Sequence, residues 1–573
     1  MTTKYLSARA ALCMAFAFSP LMSSAQTVNI LYTTDVHGAL FNYDFVRDTV
    51  SDYSLANAYT YITQVRDTSD NVLLLDNGDY LQGTPVVYYY NNVDTAAVNV
   101  MARVFNYMKY DAIGIGNHDI EARHRVYDKF ATQVDAPILA ANVRNVKTGE
   151  PYFKPYAVFN RGGKRIAIIG LTTPYVPHWL PESFWSGMEF EDMVESAAHW
   201  VKVVREKENP DAIIGLFHAG YDYNYGNQSA DSYKNENASV LVAERVDGFD
   251  AILIGHDHKL YNQEATSPSG RRVPILDVGT AARNIGHVSI EFKPDGSKSC
   301  TTRIIALANT KPSADYDNTF KPQQYAVKAY ARKVITSLVN DVYAVDALAG
   351  SSAFVDVVHR TMLKHTGADI SMSAPLQINT FLPHGDINVG RMFALYKYEN
   401  MLTVLNLTGR EVVDYLEYSY DMWIQDPTKA GHVLLLSRPG RMKNNYYSLD
   451  SAAGIIYTVD VTKKKGHRVN VISMADGSKF DKSKTYKVAL NSYRANGGGG
   501  HLEFGAGIPF AEISKRIIST IDTDLRGLVI ADLEEEASKT TDGKVELKPL
   551  GQWKFIPEDV VNAYLPADIK NFR

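Results

Sequence analysis

Asp35 and His37 stand two residues apart at the end of an apolar run, "NILYTTDVHGAL". On a strand, side chains two apart point the same way, so a carboxylate and an imidazole would converge on one spot. One such pair is weak ground for a site, because Asp-x-His arises by chance. Four further apolar runs, however, finish in the same manner. The run at 72–75 leads into "DNGD", with Asp76 and Asp79, and the run at 111–115 leads into "GNHD", with Asn117 and His118. The run at 211–217 leads into His218, and that at 250–254 into "GHDH", with His256 and His258. Each cluster alone reads as a turn or a surface loop. Together they set Asp, Asn or His behind five strands, in a chain with only 15 histidines. Ligands of layered α/β sheets sit beyond the carboxyl ends of strands, so these residues can meet at one rim.

Three Asp or Asn oxygens and four imidazoles are too many for one ion and suit two. Mixed nitrogen and oxygen donors fit Zn, Mn, Co or Fe better than Mg or Ca. Two such ions about 3.5–4 Å apart can clamp the attacking and leaving oxygens of an in-line displacement and make hydroxide available near neutral pH. Phosphoester hydrolysis is the reaction such a pair serves, and the ligand common to both ions should be a carboxylate. Asp76 reads as a turn residue.

The elements that must position these groups are legible as alternation. Short apolar runs at 28–34, 72–75, 111–115, 165–171, 211–217, 250–254, 273–278 and 286–292 predict strands. Amphipathic stretches such as 94–107 and 191–205 predict helices, and the whole predicts an α/β layered domain. Beyond a turn-rich stretch near 309–322, Val327, Tyr330, Val334, Leu338 and Val342 share a helical face, which predicts a linker helix over 319–345. A smaller, tyrosine-rich α+β domain is expected from 346 to 573, since 573 residues exceed what one core organises.

Lys4 and Arg9, the apolar stretch 10–22 and the Ser23/Ala25 pair predict a secretory signal at 1–25, which leaves 26–318 for the first domain. Export is therefore expected, to a periplasm, the medium or the cell surface. Losing the leader moves the formal charge from −5 to −7, which argues against general binding to nucleic-acid polymers. No later run is long and apolar enough for a membrane span. The mature chain keeps only Cys300, so no internal disulfide is expected. Nothing in the sequence fixes an oligomeric state.

The series Asp-x-His, Gly-Asp, Gly-Asn-His-Asp, His, Gly-His-x-His resembles the calcineurin-like metallophosphoesterases, and the two-domain length resembles their exported 5′-nucleotidase family. The resemblance implies a four-layer catalytic domain of two packed sheets flanked by helices, followed by a nucleotide-binding domain that swings to deliver its substrate. It implies that Asp35, His37, Asp79 and His258 hold one divalent ion, and that Asp79, Asn117, His218 and His256 hold the other. It makes His118 the group that stabilises the transition state, with Glu121 where the family often has Asp as its partner.

"LLLDNGDYLQGTP", "HGALFNYDF" and the final "GHDH" resemble the branch that cleaves 2′,3′-cyclic nucleotides and 3′-nucleotides. So do "LNSYRANGGGG" and "NNYYSLDSAAGIIYTVDV". These imply substrate contacts at Tyr493, Arg494, Asn496 and Gly498, with Tyr447 (or its neighbour Tyr446) as the second ring of a base clamp. Gly499 stands where 5′-nucleotidases carry a ribose-contacting Asp, and "SMSAPLQ" replaces their arginine-bearing glycine loop. The expected substrate is thus a small nucleotide. A 5′-nucleotidase or nucleotide-sugar hydrolase is the nearer alternative, and a non-catalytic nucleotide-binding surface protein the more distant one.

Overall fold

The structure, a computed structural model, describes residues 25–572. The expected leader therefore lies, but for Ala25, outside the described residues. The first domain is built on twelve strands: β1 (Gln26–Thr33), β2 (Val72–Asp76), β3 (Ala112–Gly114), β4 (Ile138–Leu139), β5 (Tyr156–Arg161), β6 (Lys164–Thr172), β7 (Ala212–His218), β8 (Ala251–Ile254), β9 (Leu260–Thr266), β10 (Arg272–Val278), β11 (Asn284–Phe292) and β12 (Lys298–Ala306). They form two six-stranded sheets, ordered β12-β11-β1-β2-β3-β4 and β9-β10-β8-β7-β6-β5. The pairings β1–β2, β2–β3, β3–β4, β6–β7 and β7–β8 are parallel, and antiparallel strands close the other three edges at β12, β9 and β5.

Strand runs that are apolar at every position follow from burial on both faces. Ile30, Tyr32, Leu73 and Leu75 of one sheet meet Ile166, Ile168, Ile214 and Leu216 of the other in a core between the sheets. Their neighbours along the strands point outward: Leu31 and Leu74 lie against helices on one side, and Ala167, Ile169 and Phe217 against helices on the other. Period-2 alternation thus feeds two different cores from one strand, and the four layers follow.

The linker prediction needs correction. The helix runs from Ala314 to Ala331, and its Tyr316, Phe320, Val327 and Ala331 pack into the core of the first domain. Residues 334–338, predicted to continue it, form a strand paired with Gly385–Asn388 and with Lys544–Val545. Val334, Ile335 and Thr336 are β-branched, and two partner strands were available to them; pairing overrode the helical spacing. The helix expected from 94 likewise begins at Val100, where Asn99 caps it by accepting from Met101 N and Ala102 N.

The second domain centres on strands β13 (Ile370–Ser373), β14 (Met401–Thr408), β15 (Ser451–Ala453), β16 (Thr485–Asn491) and β17 (Ile517–Asp524), ordered β15-β13-β16-β14-β17. Leu405, Leu407, Val488 and Leu490 face the helix Gly409–Trp423, while Leu402 and Ala489 face the helices Ala353–Thr366 and Leu525–Ser538. No helix among the described residues is long and apolar enough to cross a membrane.

Candidate active site

The five motif-bearing segments, at the carboxyl ends of β1, β2, β3, β7 and β8, meet at one rim, and backbone hydrogen bonds tie the first two together. Asp35 N donates to Gly78 O and His37 N to Asp79 O, both at 2.9 Å. Asp119 organises two of the segments at once: its carboxylate accepts from Asp79 N, Tyr80 N, Leu81 N and Gly116 N, each at 2.8 Å. Sequence reading passed over Asp119, although it is the fourth residue of "GNHD" and sits in the first turn of a helix, where a carboxylate is favoured. Gly116 has no room for a side chain, because a Cβ there would lie 2.1 Å from Asp79 Oδ1.

Asp35 and His37 do converge, but not as neighbours on a strand face. β1 ends at Thr33, and both residues adopt left-handed backbone, with φ of 50° and 48°. Asp79, His256 and His258 share that region, at 59°, 81° and 57°. Left-handed backbone is strained for non-glycine residues and clusters at functional sites. Here the turns aim the side chains.

Asp35, His37, Asp79 and His258 offer donor atoms within 4.8 Å of one another, and so do Asp79, His218 and His256; Asp79 belongs to both groups. Asn117 Oδ1 joins the second, 2.9 Å from His256 Nδ1 and 3.3 Å from His218 Nε2. The polar atoms left over indicate what would fit between them. Asp79 is fully buried, yet its Oδ2 has no hydrogen-bond partner. His37 donates through Nδ1 to Gln82 O at 2.9 Å, which leaves Nε2 as an acceptor facing His258 Nε2 at 3.0 Å. His256 directs Nε2 at Glu236 Oε1, 3.3 Å away, and so turns the lone pair of Nδ1 toward Asn117 Oδ1. At His256 and Asn117 an acceptor faces an acceptor. That is the donor set of a cation site, with ring orientations fixed by outer partners. Glu236, one of those partners, carries no sequence signal of its own.

The electrostatics agree. Burial pushes the Asp35 carboxyl up, but its hydrogen bond with His258 and the neighbouring His218 outweigh burial and hold it at about 2. Burial, reinforced by His258, drives His37 down to about 3, leaving a neutral imidazole able to ligate. At His218 burial opposes charge, yet Asp79 prevails and holds it at about 10. A field that draws a proton so strongly draws a metal cation equally.

His118 lies beside this cluster, its backbone N donating to Asp79 Oδ1 at 2.8 Å and its Nδ1 paired with Glu121 Oε2 at 2.6 Å. Burial pushes it down, but Asp79 and Glu121 overcome burial and raise it to about 9.

Across the cleft, the residues expected to touch a nucleotide divide into two kinds. Tyr447 hydrogen-bonds Tyr225 of the first domain, and Tyr493 lies near enough to raise the Tyr225 hydroxyl further. Tyr446 packs instead against the core of its own domain. Gly498 lies under the Tyr493 ring, where a Cβ would come within 2.6 Å of ring carbons. Arg494, expected at the substrate, is 2 % exposed and fully engaged within the protein. Its Nε is 2.9 Å from Asp450 Oδ2, its Nη1 donates to Gly498 O at 2.9 Å, and its Nη2 donates to Tyr447 O. It joins the two tyrosine loops. Asn496 is half-buried and donates to Ser492 O at 2.7 Å.

Residues 28–260 match the calcineurin-like phosphoesterase family, and residues 333–505 match the 5′-nucleotidase C-terminal domain. The chain is 26% identical over 598 residues to a 2′,3′-cyclic-nucleotide 2′-phosphodiesterase/3′-nucleotidase of Haemophilus influenzae, covering 92% of this chain and 87% of that one. It is 28% identical over 537 residues to the trifunctional nucleotide phosphoesterase protein YfkN of Bacillus subtilis, covering 82% of this chain but only 36% of that much longer one. In fold it is similar to a Staphylococcus aureus protein described as a candidate 5′-nucleotidase, with a TM-score of 0.78 at 21% identity, covering 92% of this chain and all of that one.

Proposed function

Because the chain belongs to the calcineurin-like metallophosphoesterases that carry a 5′-nucleotidase C-terminal domain, we propose that it is an exported two-metal nucleotide phosphoesterase whose preferred substrates are 2′,3′-cyclic nucleotides and 3′-nucleotides. The observation that carries this reading is the pair of donor groups that share the buried carboxylate of Asp79. Asp35, His37, Asp79 and His258 hold one divalent ion; Asp79, Asn117, His218 and His256 hold the other. The pair supplies Lewis-acid stabilisation of phosphoryl oxygens and hydroxide near neutral pH.

The remaining work falls to side chains. His118, its Nδ1 held by the Glu121 carboxylate, offers charge and a proton to the leaving oxygen. Tyr447 and Tyr493 hold the base by its faces, which tolerates any base. Arg494 fixes the spacing of their loops, and a side chain at Gly499 would strike its Nη1, at 2.1 Å from the Cβ. A side chain at Gly499, such as the ribose-contacting Asp of 5′-nucleotidases, would have to displace that guanidinium from Gly498 O, which favours the cyclic and 3′-nucleotide branch.

The test is metal analysis of purified protein, then turnover of 2′,3′-cyclic AMP, 3′-AMP and 5′-AMP side by side. Two metals per chain and a preference for the first two substrates are expected. A preference for 5′-AMP would transfer the assignment to the 5′-nucleotidases, and absence of metal and activity would leave a binding protein. Export is checked by sequencing the mature N-terminus, expected at Gln26 within a residue or two.

A further inference from the structure

The carboxylate that supports His118 is itself held from the other domain. Glu121 is buried, and while its Oε2 pairs with His118 Nδ1, its Oε1 accepts from Asn400 Nδ2 at 3.2 Å. Asn400 is equally buried and stands at the entrance to β14. Its amide has a fixed sense, because the Glu121 carboxylate only accepts and so takes Nδ2, which leaves Oδ1 to accept from the Tyr396 hydroxyl at 3.2 Å. Next to it, Met401 N donates to Ser492 Oγ at 3.0 Å, the residue before Tyr493. The ring of Tyr398 lies parallel to that of His118, 6° apart in plane and 6.4 Å between centres. One short segment, 398–401, thus touches the histidine, its carboxylate and the base loop. Two further contacts hold this approach: Tyr88 Oη donates to Asp524 Oδ2 at 2.9 Å, and Arg123 Nη1 to Asp522 Oδ1 at 2.6 Å.

We infer that Asn400 is a positioning residue, supplied by the second domain, that aligns Glu121 on His118 across the contact between the two domains. The inference rests on the functional reading above. A carboxylate bonded through one oxygen can still turn about its own side-chain torsions; a donor on the second oxygen removes that freedom. Asn400 need touch no substrate to matter, and its effect must pass through Glu121.

That dependence defines the experiment. Asn400→Ala should lower kcat about tenfold with KM within about twofold, equally for 2′,3′-cyclic AMP and for bis(4-nitrophenyl) phosphate, since positioning acts on the chemical step. Asn400→Asp, of nearly the same volume, sets a second carboxylate against Glu121 and should lose at least as much. Both should keep wild-type metal content and remain folded at the assay temperature, at some cost in melting midpoint. In a Glu121→Ala background, Asn400→Ala should add no further loss, because residues acting as a unit are not additive. Losses that multiply in the double variant, a loss confined to KM, a Glu121→Ala enzyme as fast as wild type, or Asn400 variants at the wild-type rate would each overturn the inference while the functional reading stands. A wild-type protein without phosphoesterase activity would overturn both.

Discussion

Asp79 is completely buried, and its Oδ2 has His218 Nε2 at 3.2 Å and His37 Nε2 at 3.9 Å without a hydrogen bond to either. A buried carboxylate must be paired or coordinate a metal, and a cation among these atoms would be held by all three. Asp79→Ala should therefore lose metal and activity together, measured by metal analysis and turnover; two retained ions at full rate would refute its place between them. His118→Ala should keep its metals and slow turnover by roughly 10²–10⁴, the range for a positioned proton donor. Asp119 belongs to neither set, yet it accepts four backbone N–H groups from the loops that carry Asp79 and Asn117. Asp119→Ala should destabilise the fold by about 3 kcal/mol or more, seen in denaturant melts, because buried donors lose their only acceptor.

At the scale of elements, the tyrosine loops stand on a buried ion pair. Asp450 and Arg494 are both almost inaccessible. Burial pushes the Asp450 carboxyl up, but the guanidinium outweighs burial and holds it below the usual carboxylate range. Removing one partner strands a charge, so Asp450→Ala should cost about 3–5 kcal/mol in a denaturation experiment and weaken nucleotide turnover. The rings themselves are tested by contrast. Tyr493→Ala should lower kcat/KM for nucleotides about ten- to a hundredfold, from stacking worth about 1–3 kcal/mol, and leave bis(4-nitrophenyl) phosphate far less affected. Equal losses for both would make Tyr493 a packing residue.

For the whole molecule, the donors come from both sheets: Asp35, Asp79 and Asn117 follow strands of one, while His218, His256 and His258 belong to the other. Ions bound there would tie the two sheets together at the rim. Chelation should lower the melting midpoint as well as abolish activity, since binding at a hundredfold excess over Kd stabilises by about 2.7 kcal/mol. An unchanged midpoint would mean that the ions are not held between the sheets.

Much of this was readable from the chain itself. Apolar runs ending in Asp, Asn or His specify both the parallel strands and the rim, because strand direction alone puts every such residue on the same side of the layer. The tertiary structure decided the rest, and for definable reasons. Residues 334–338 became a strand because partners at Gly385–Asn388 and Lys544–Val545 were in reach, a fact no local periodicity contains. Asp35 and His37 converge through left-handed turns rather than strand alternation, since backbone hydrogen bonds from the β2 loop fix those turns. Glu236 and Asn400 matter only through contacts 20 and 279 residues away in sequence. Residue types and strand order are local and one-dimensional; which second oxygen a carboxylate satisfies, and from which domain, exists only once the chain has packed.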